Sequence, residues 1–167
     1  QSGEYNANVL SDGHRFDVLV NSGLVKDFCH EEICFVLGHE LGHVIYQHDD
    51  IPVSAIVKSS NPLSEDAERV LYKWSRSAEI SADRVGLLCA GSLESAVSAL
   101  FKTSSGLTTI DSRIVINSYR EQYKELKDHI ERVGGFHEEE RTHPMTSIRF
   151  KALEMASLDM VALRADL

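Results

Sequence analysis

The sequence predicts a mostly helical α+β domain with a small β-hairpin near its start. Two short extended runs, residues 8–10 and 16–20, flank the turn-rich segment Ser11-Asp12-Gly13-His14, the pattern of a hairpin. Most of the chain beyond residue 27 repeats apolar residues every three or four positions, the period of a helix with one buried face. Glycine, proline and serine signals cut that pattern into separate helices rather than one long rod.

The 167 residues fit one domain, 1–167, and a hydrophobic share of 43% is enough to bury a core. Lys and Arg number 17 against 26 Asp and Glu, a formal charge of −9. That balance argues against nucleic acid or an anionic membrane surface as partner, since both require a positive field. The longest apolar stretches, residues 33–37 and 85–90, are far short of the ~20 needed to cross a bilayer. Because the sequence starts at Gln1, it reads as a processed protein or a domain excised from a longer, potentially membrane-anchored chain. Cys29, Cys34 and Cys89 are odd in number and form no CxxC pair. They favour a reducing, cytoplasmic compartment, with a membrane-associated or envelope location left open.

After the hairpin, Asn21-Ser22-Gly23 closes the strand pair and a helix starts near residues 27–29, with Glu31 and Glu32 in its first turn, where the helix dipole favours acids. Ile33, Val36, Leu37, Leu41, Val44 and Ile45 mark its expected buried face, and it runs to about His48, ahead of Ile51-Pro52. A polar loop over 59–65 leads to a helix over 64–90, with a candidate break at 73–77 and a stop at Gly91. Residues 92–101 form the next helix, which Thr103–Ser105 and Gly106 end. The helix over 113–133 carries Ile114, Ile116, Tyr119, Tyr123, Leu126 and Ile130 on its apolar side and stops at Gly134-Gly135. Beyond the charged loop 138–141, Pro144 suits the first position of a last helix, continued by Met145, Ile148, Ala152 and Met155.

His39-Glu40-Leu41-Gly42-His43 is an HExxH motif. Positions four apart on a helix differ by only about 40° around the axis, so both imidazoles can reach one ion. Glu40 lies beside them, free to act as general base on a zinc-activated water. Two histidines leave zinc short of a third protein ligand. An HExxHxxGxxH arrangement fails, because Tyr46 and Asp49 occupy the glycine and histidine places. His48 reads as a helix-end histidine off the metal face. Glu79-Ile80-Ser81-Ala82-Asp83 supplies a glutamate and, one turn on, an aspartate that can accept the free N–H of a ligand histidine. By itself that pair also suits a solvated helix face.

The HELGH segment at 39–43, followed by Glu79-Ile80-Ser81-Ala82-Asp83-Arg84, resembles the gluzincin metallopeptidases of the HtpX and CaaX prenyl endopeptidase type. Asn6-Ala7 with VLVNSGL at 18–24 resembles the strand pair ahead of their active-site helix, and Thr142-His143-Pro144 with Arg149 resembles their C-terminal element. These matches follow the family's order across most of the chain. The resemblance implies a zincin-like fold whose N-terminal hairpin packs on the active-site helix, and a zinc metalloendopeptidase acting on proteins or peptides. His39, His43 and Glu79 would bind one zinc ion, Glu40 would be the base, and Asp83 would support a ligand histidine. His143, at the N-terminus of the last helix, would stabilise the oxyanion. Arg149 would reach the cleft or pair with a nearby acid, and residues 6–10 would form the cleft-edge strand that takes an extended peptide. The connection after that strand is longer and more polar than the family pattern, and the family's membrane helices do not occur in these residues. A rival reading keeps the scaffold but makes it a latent or non-catalytic, zinc-stabilised peptide-binding or chaperone-like module, with the 138–141 loop beside His143 as a blocking segment.

Overall fold

The structure, a computed structural model, describes residues 5–11, 15–59, 63–109, 111–133 and 142–165. The hairpin turn at 12–14, Asn61-Pro62, the Gly134-Gly135 stop and the charged 138–141 loop lie outside the described residues. The fold is mostly helical with one two-stranded antiparallel sheet, as the sequence implies. Strands β1 (Ala7–Ser11) and β2 (Phe16–Val20) pair in the register Ala7↔Val20 to Ser11↔Phe16. Helices α1 (Ser22–Asp27), α2 (His30–Ile45), α3 (Val53–Val57), α4 (Glu65–Ala90), α5 (Leu93–Ser105), α6 (Ser112–Val133) and α7 (Thr146–Ala165) follow.

Several boundaries differ from the sequence reading. The segment expected to close the hairpin leads into α1, whose Leu24 is fully buried. Phe28 and Cys29 are extended and separate α1 from α2. Helix α2 stops at Ile45 rather than His48, because Gln47 adopts a left-handed conformation (φ 54°) and throws His48–Asp50 into a 3-10 turn. Helix α4 runs unbroken through 73–77, and α5 continues through Thr103–Ser105 before Gly106 (φ 74°) ends it. Helix α7 begins at Thr146, with the Met145 carbonyl accepting from the Ile148 and Arg149 amides. His143 and Pro144 therefore precede the helix.

The N-terminus of α2 is tied down by a buried charge. Glu32 accepts from its own helix's Cys29 amide at 2.8 Å and from Lys102 Nζ on α5 at 2.7 Å. Lys102 also donates to the Asp27 carbonyl, so one ion pair joins α1, α2 and α5. Burial works against the Glu32 carboxylate, but Lys102 and Ser98 hold its pKa below the usual range. Around this anchor Ala96, Ala99 and Leu100 of α5 pack with Leu24, Phe35, Leu87 and Leu153. Val97, Val115, Ile116, Tyr119 and Phe150 form a second cluster.

The leucine stripe of α2 does not face the core. Leu37, Leu41 and Ile45 are 37%, 47% and 56% exposed, while Gly38 and Gly42 are buried against α4. Adjacent backbones leave no room for larger groups there. A Cβ on Gly42 would stand 2.7 Å from Ala82 Cα, one on Gly38 2.9 Å from Gly86 Cα, and one on Gly86 2.7 Å from the Phe35 carbonyl oxygen. Ile114 and Met155 likewise lie outside the core, which takes Val115, Phe150 and Leu153 instead.

Gly42→Val and Gly86→Val should each lower the unfolding free energy in urea titrations by about 1–3 kcal/mol, the usual cost of forcing volume into a filled contact.

Candidate metal centre

His39 and His43 lie one turn apart on α2, and Glu79 reaches them from α4. Their Nε2 atoms are 3.1 Å apart. Glu79 Oε1 lies 3.5 Å from His43 Nε2, and Glu79 Oε2 lies 3.8 Å from His39 Nε2. One ligand atom from each of the three residues falls within 4.8 Å of the other two. Glu79 is buried, so this face of α4 is not a solvated one.

Asp83, one turn beyond Glu79, is fully buried with Oδ1 2.9 Å from His39 Nδ1. Arg149 of α7 donates to both its oxygens, Nε to Oδ2 at 2.7 Å and Nη2 to Oδ1 at 2.6 Å. Burial opposes the Asp83 charge, but the guanidinium and the His39 hydrogen bond outweigh it and bring the pKa down to about 2. An anionic Asp83 requires the proton on His39 Nδ1, which leaves the Nε2 lone pair facing Glu79. Of the two places open to Arg149, it takes both. It pairs with Asp83, approaches Glu79 Oε2 at 3.5 Å and lines the cleft.

The cleft is a cavity of about 510 Å³ with residues 6–9 along one wall and His39, Glu40, His43, Glu79 and His143 among its other lining groups. The Val9 amide, on the β1 edge away from β2, lies on the Glu40 side of the strand and favours the charged form of that carboxylate. Burial raises the Glu40 pKa, with Glu79 adding to the rise, while His39 and the Val9 amide moderate it. Burial and then His39 push His43 down to about 4, so its imidazole is neutral at pH 7. For Glu79, burial is outweighed by the His143 hydrogen bond and Arg149, and its pKa falls.

His143 is 67% exposed, with Nδ1 3.2 Å from Glu79 Oε2. That hydrogen bond raises its pKa against the effect of burial. Its position comes from the chain before α7 rather than from a helix terminus. Ser75 of α4 donates to the Thr142 carbonyl at 2.9 Å and pins that segment over the site. The residue before a proline is driven out of the helical region, which keeps His143 outside the helix.

The sequence reading missed one participant. His48 was assigned to a helix end away from the metal face, yet its Nδ1 lies 3.0 Å from His43 Nδ1. The left-handed Gln47 turns it back under the site, and no periodic pattern signals such a turn.

Arg149→Met would leave the Asp83 carboxylate buried without its cation and should cost about 3–5 kcal/mol of stability. The folded pKa of Asp83 lies below its unfolded value, so its contribution is fully present above the unfolded pKa of ~3.9 and lost as pH falls towards 2. In chelator-treated protein, urea titrations from pH 6 down to 2 should show this acid-side loss in wild type and a smaller one in Arg149→Met.

The family model for peptidase family M48 matches residues 1–62 and 53–157. A curated relative, the plastoglobule-localized metallopeptidase 48, chloroplastic, of Arabidopsis thaliana, is 28% identical over 132 residues. The aligned region covers 73% of this chain and 38% of that protein, so the chain spans about two-fifths of the length of the relative it matches. No solved structure matches the chain significantly. No helix among the described residues is long and apolar enough to cross a membrane. The family match takes in both the HExxH helix and the helix that carries Glu79 and Asp83, and the chain belongs to peptidase family M48, a family of metallopeptidases.

Proposed function

We propose that residues 1–167 form one catalytic unit, a zinc-dependent metalloendopeptidase that hydrolyses internal peptide bonds of proteins or peptides. The observation that carries this reading is the convergence of two imidazoles and one carboxylate within 4.8 Å. Two nitrogens and an oxygen suit a catalytic zinc ion, which keeps a fourth position for water or substrate. His39, His43 and Glu79 would hold one ion per chain. Zinc there supplies Lewis acidity, lowering the pKa of a water to roughly 7 and polarising the scissile carbonyl.

The remaining chemistry falls to the chain's own groups. Glu40 accepts the proton of the attacking water and delivers it to the leaving amine, a task suited to a carboxylate whose pKa burial has raised. His143 faces the cleft and can donate a hydrogen bond to the oxyanion as the tetrahedral state develops. Asp83, held by Arg149, orients His39. The edge of β1 along the cleft offers backbone groups to an extended peptide.

Purified protein should contain about one zinc per chain and cleave an unstructured protein such as casein. Glu40→Gln should keep its zinc and lose about 10²–10⁴-fold in rate, the usual contribution of a positioned proton-transfer group. Equal cleavage by the variant overturns the mechanism. A wild-type sample that binds zinc and peptide but leaves the peptide intact would favour the non-catalytic module instead. His143→Ala should lower kcat by about 10²–10³-fold with little change in KM, the signature of a donor used in the transition state.

A further inference from the structure

Beside the site, an unbroken line of hydrogen bonds runs from His43 to a backbone carbonyl of α4. His43 Nδ1 meets His48 Nδ1 at 3.0 Å, and His48 Nε2 meets Ser81 Oγ at 3.2 Å. The Ser81 hydroxyl then donates to the Ala78 carbonyl at 2.8 Å. The His48 ring is gripped by aromatic neighbours, Tyr46 stacked at 5.7 Å and Trp74 edge-on at 5.8 Å.

With the Ser81 hydroxyl donating to the Ala78 carbonyl, the line has one polarity, and it leaves the bare Nε2 atoms of His39 and His43 facing each other 3.1 Å apart, as two ligands of one cation would be. A carbonyl cannot donate, so the single Ser81 proton goes to Ala78 and Ser81 Oγ is left to accept. His48 must then carry its proton on Nε2 and present a bare Nδ1. Protonation of both His48 nitrogens would set one N–H against another where His43 also carries a proton on Nδ1. A bare His48 Nδ1 requires that proton on His43 Nδ1, which leaves the lone pair of His43 on Nε2. That is the nitrogen 3.5 Å from Glu79 Oε1.

We infer that His48, set by Ser81, is the positioning residue that fixes the tautomer and ring orientation of His43 so that its Nε2 faces the metal. The inference rests on the proposed metal site and deepens it. Asp83 does the same for His39 through a charge, whereas His48 does it without one. The role needs an acceptor at the position of His48 Nδ1, and an asparagine can supply one, because its Oδ1 occupies a similar place.

The test is zinc affinity of the metal-free full chain, by competition with a chromophoric chelator, with the visible spectrum of the cobalt-substituted protein as a second readout. His48→Phe keeps an aromatic ring between Tyr46 and Trp74 but removes the acceptor, and should weaken zinc about 10–100-fold, the usual cost of losing a partner that orients a ligand. It should also change the cobalt bands. His48→Asn should recover most of the affinity and the wild-type bands, which a merely space-filling role would not allow. Ser81→Ala, which frees the His48 tautomer but leaves Nδ1 in place, should weaken zinc less than His48→Phe. The inference is overturned if His48→Phe binds zinc as tightly as wild type, or if a folded His48→Asn binds as weakly as His48→Phe. Wild-type protein that binds no zinc overturns the metal site as well, so the two failures are told apart.

Discussion

The site depends on how closely two helices approach. Helices usually pack with their axes 8–10 Å apart, the distance set by the side chains between them. Between α2 and α4 those side chains are nearly absent, because Gly38 and Gly42 face Ala82 and Gly86. Aspartate is short, with its carboxylate only one carbon beyond Cβ, and Asp83 reaches His39 Nδ1 at 2.9 Å only because the backbones nearly touch. Glu79, one turn earlier on the same face, gains its approach to His39 and His43 from the same contact. Greater separation would take both acids out of reach together. The glycines therefore act on the chemistry through distance, although none carries a functional group.

That proximity concentrates negative charge. Glu40, Glu79 and Asp83 are carboxylates, and Arg149 is the permanent cation that reaches two of them. Three negative charges against one positive leave the group near −2, with exposed Asp49 at the cleft margin. Buried like charges normally force one carboxyl to take a proton. Glu40 moves in that direction, its pKa raised, while Glu79 and Asp83 stay ionised because Arg149 and the histidines favour their charged forms. A divalent cation among His39, His43 and Glu79 would balance this excess. It would also favour the ionised form of Glu40, the form that accepts a proton.

Much of this arrangement was legible in the sequence, and the reasons are particular. HExxH is readable because one helical turn relates its histidines, so spacing alone predicts their alignment. Glu79 and Asp83 were harder, since a glutamate and an aspartate four apart also suit a solvated helix; the order of motifs along the chain, not their spacing, singled them out. The apolar stripe of α2 misled. Periodicity takes Leu37, Leu41 and Ile45 for the packed face, but where backbones touch, the packed face consists of glycine and carries no hydrophobic signal. His48 was missed for a different reason. Its place follows from one residue, Gln47, entering the left-handed region, and glutamine does not announce that as glycine or asparagine would. The helix expected to start at His143-Pro144 begins at Thr146, because Pro144 marks the approach to the first turn as readily as the turn itself.

The two imidazoles of the HExxH motif are held by partners of different charge, and the charge count gives that difference a reason. Asp83 is stabilised by a bidentate guanidinium, so its charge is largely offset where it stands. No second arginine serves His43 among the described contacts; its Nδ1 meets the neutral His48, backed by Ser81 and a backbone carbonyl. A carboxylate at the place of His48 would add a charge with no counterion and take the group beyond what one divalent ion balances. It would also raise the pKa of His43, which burial holds low. A neutral relay orients the ring while leaving its lone pair free, so the electrostatics of the cluster favour histidine over an acid at that position.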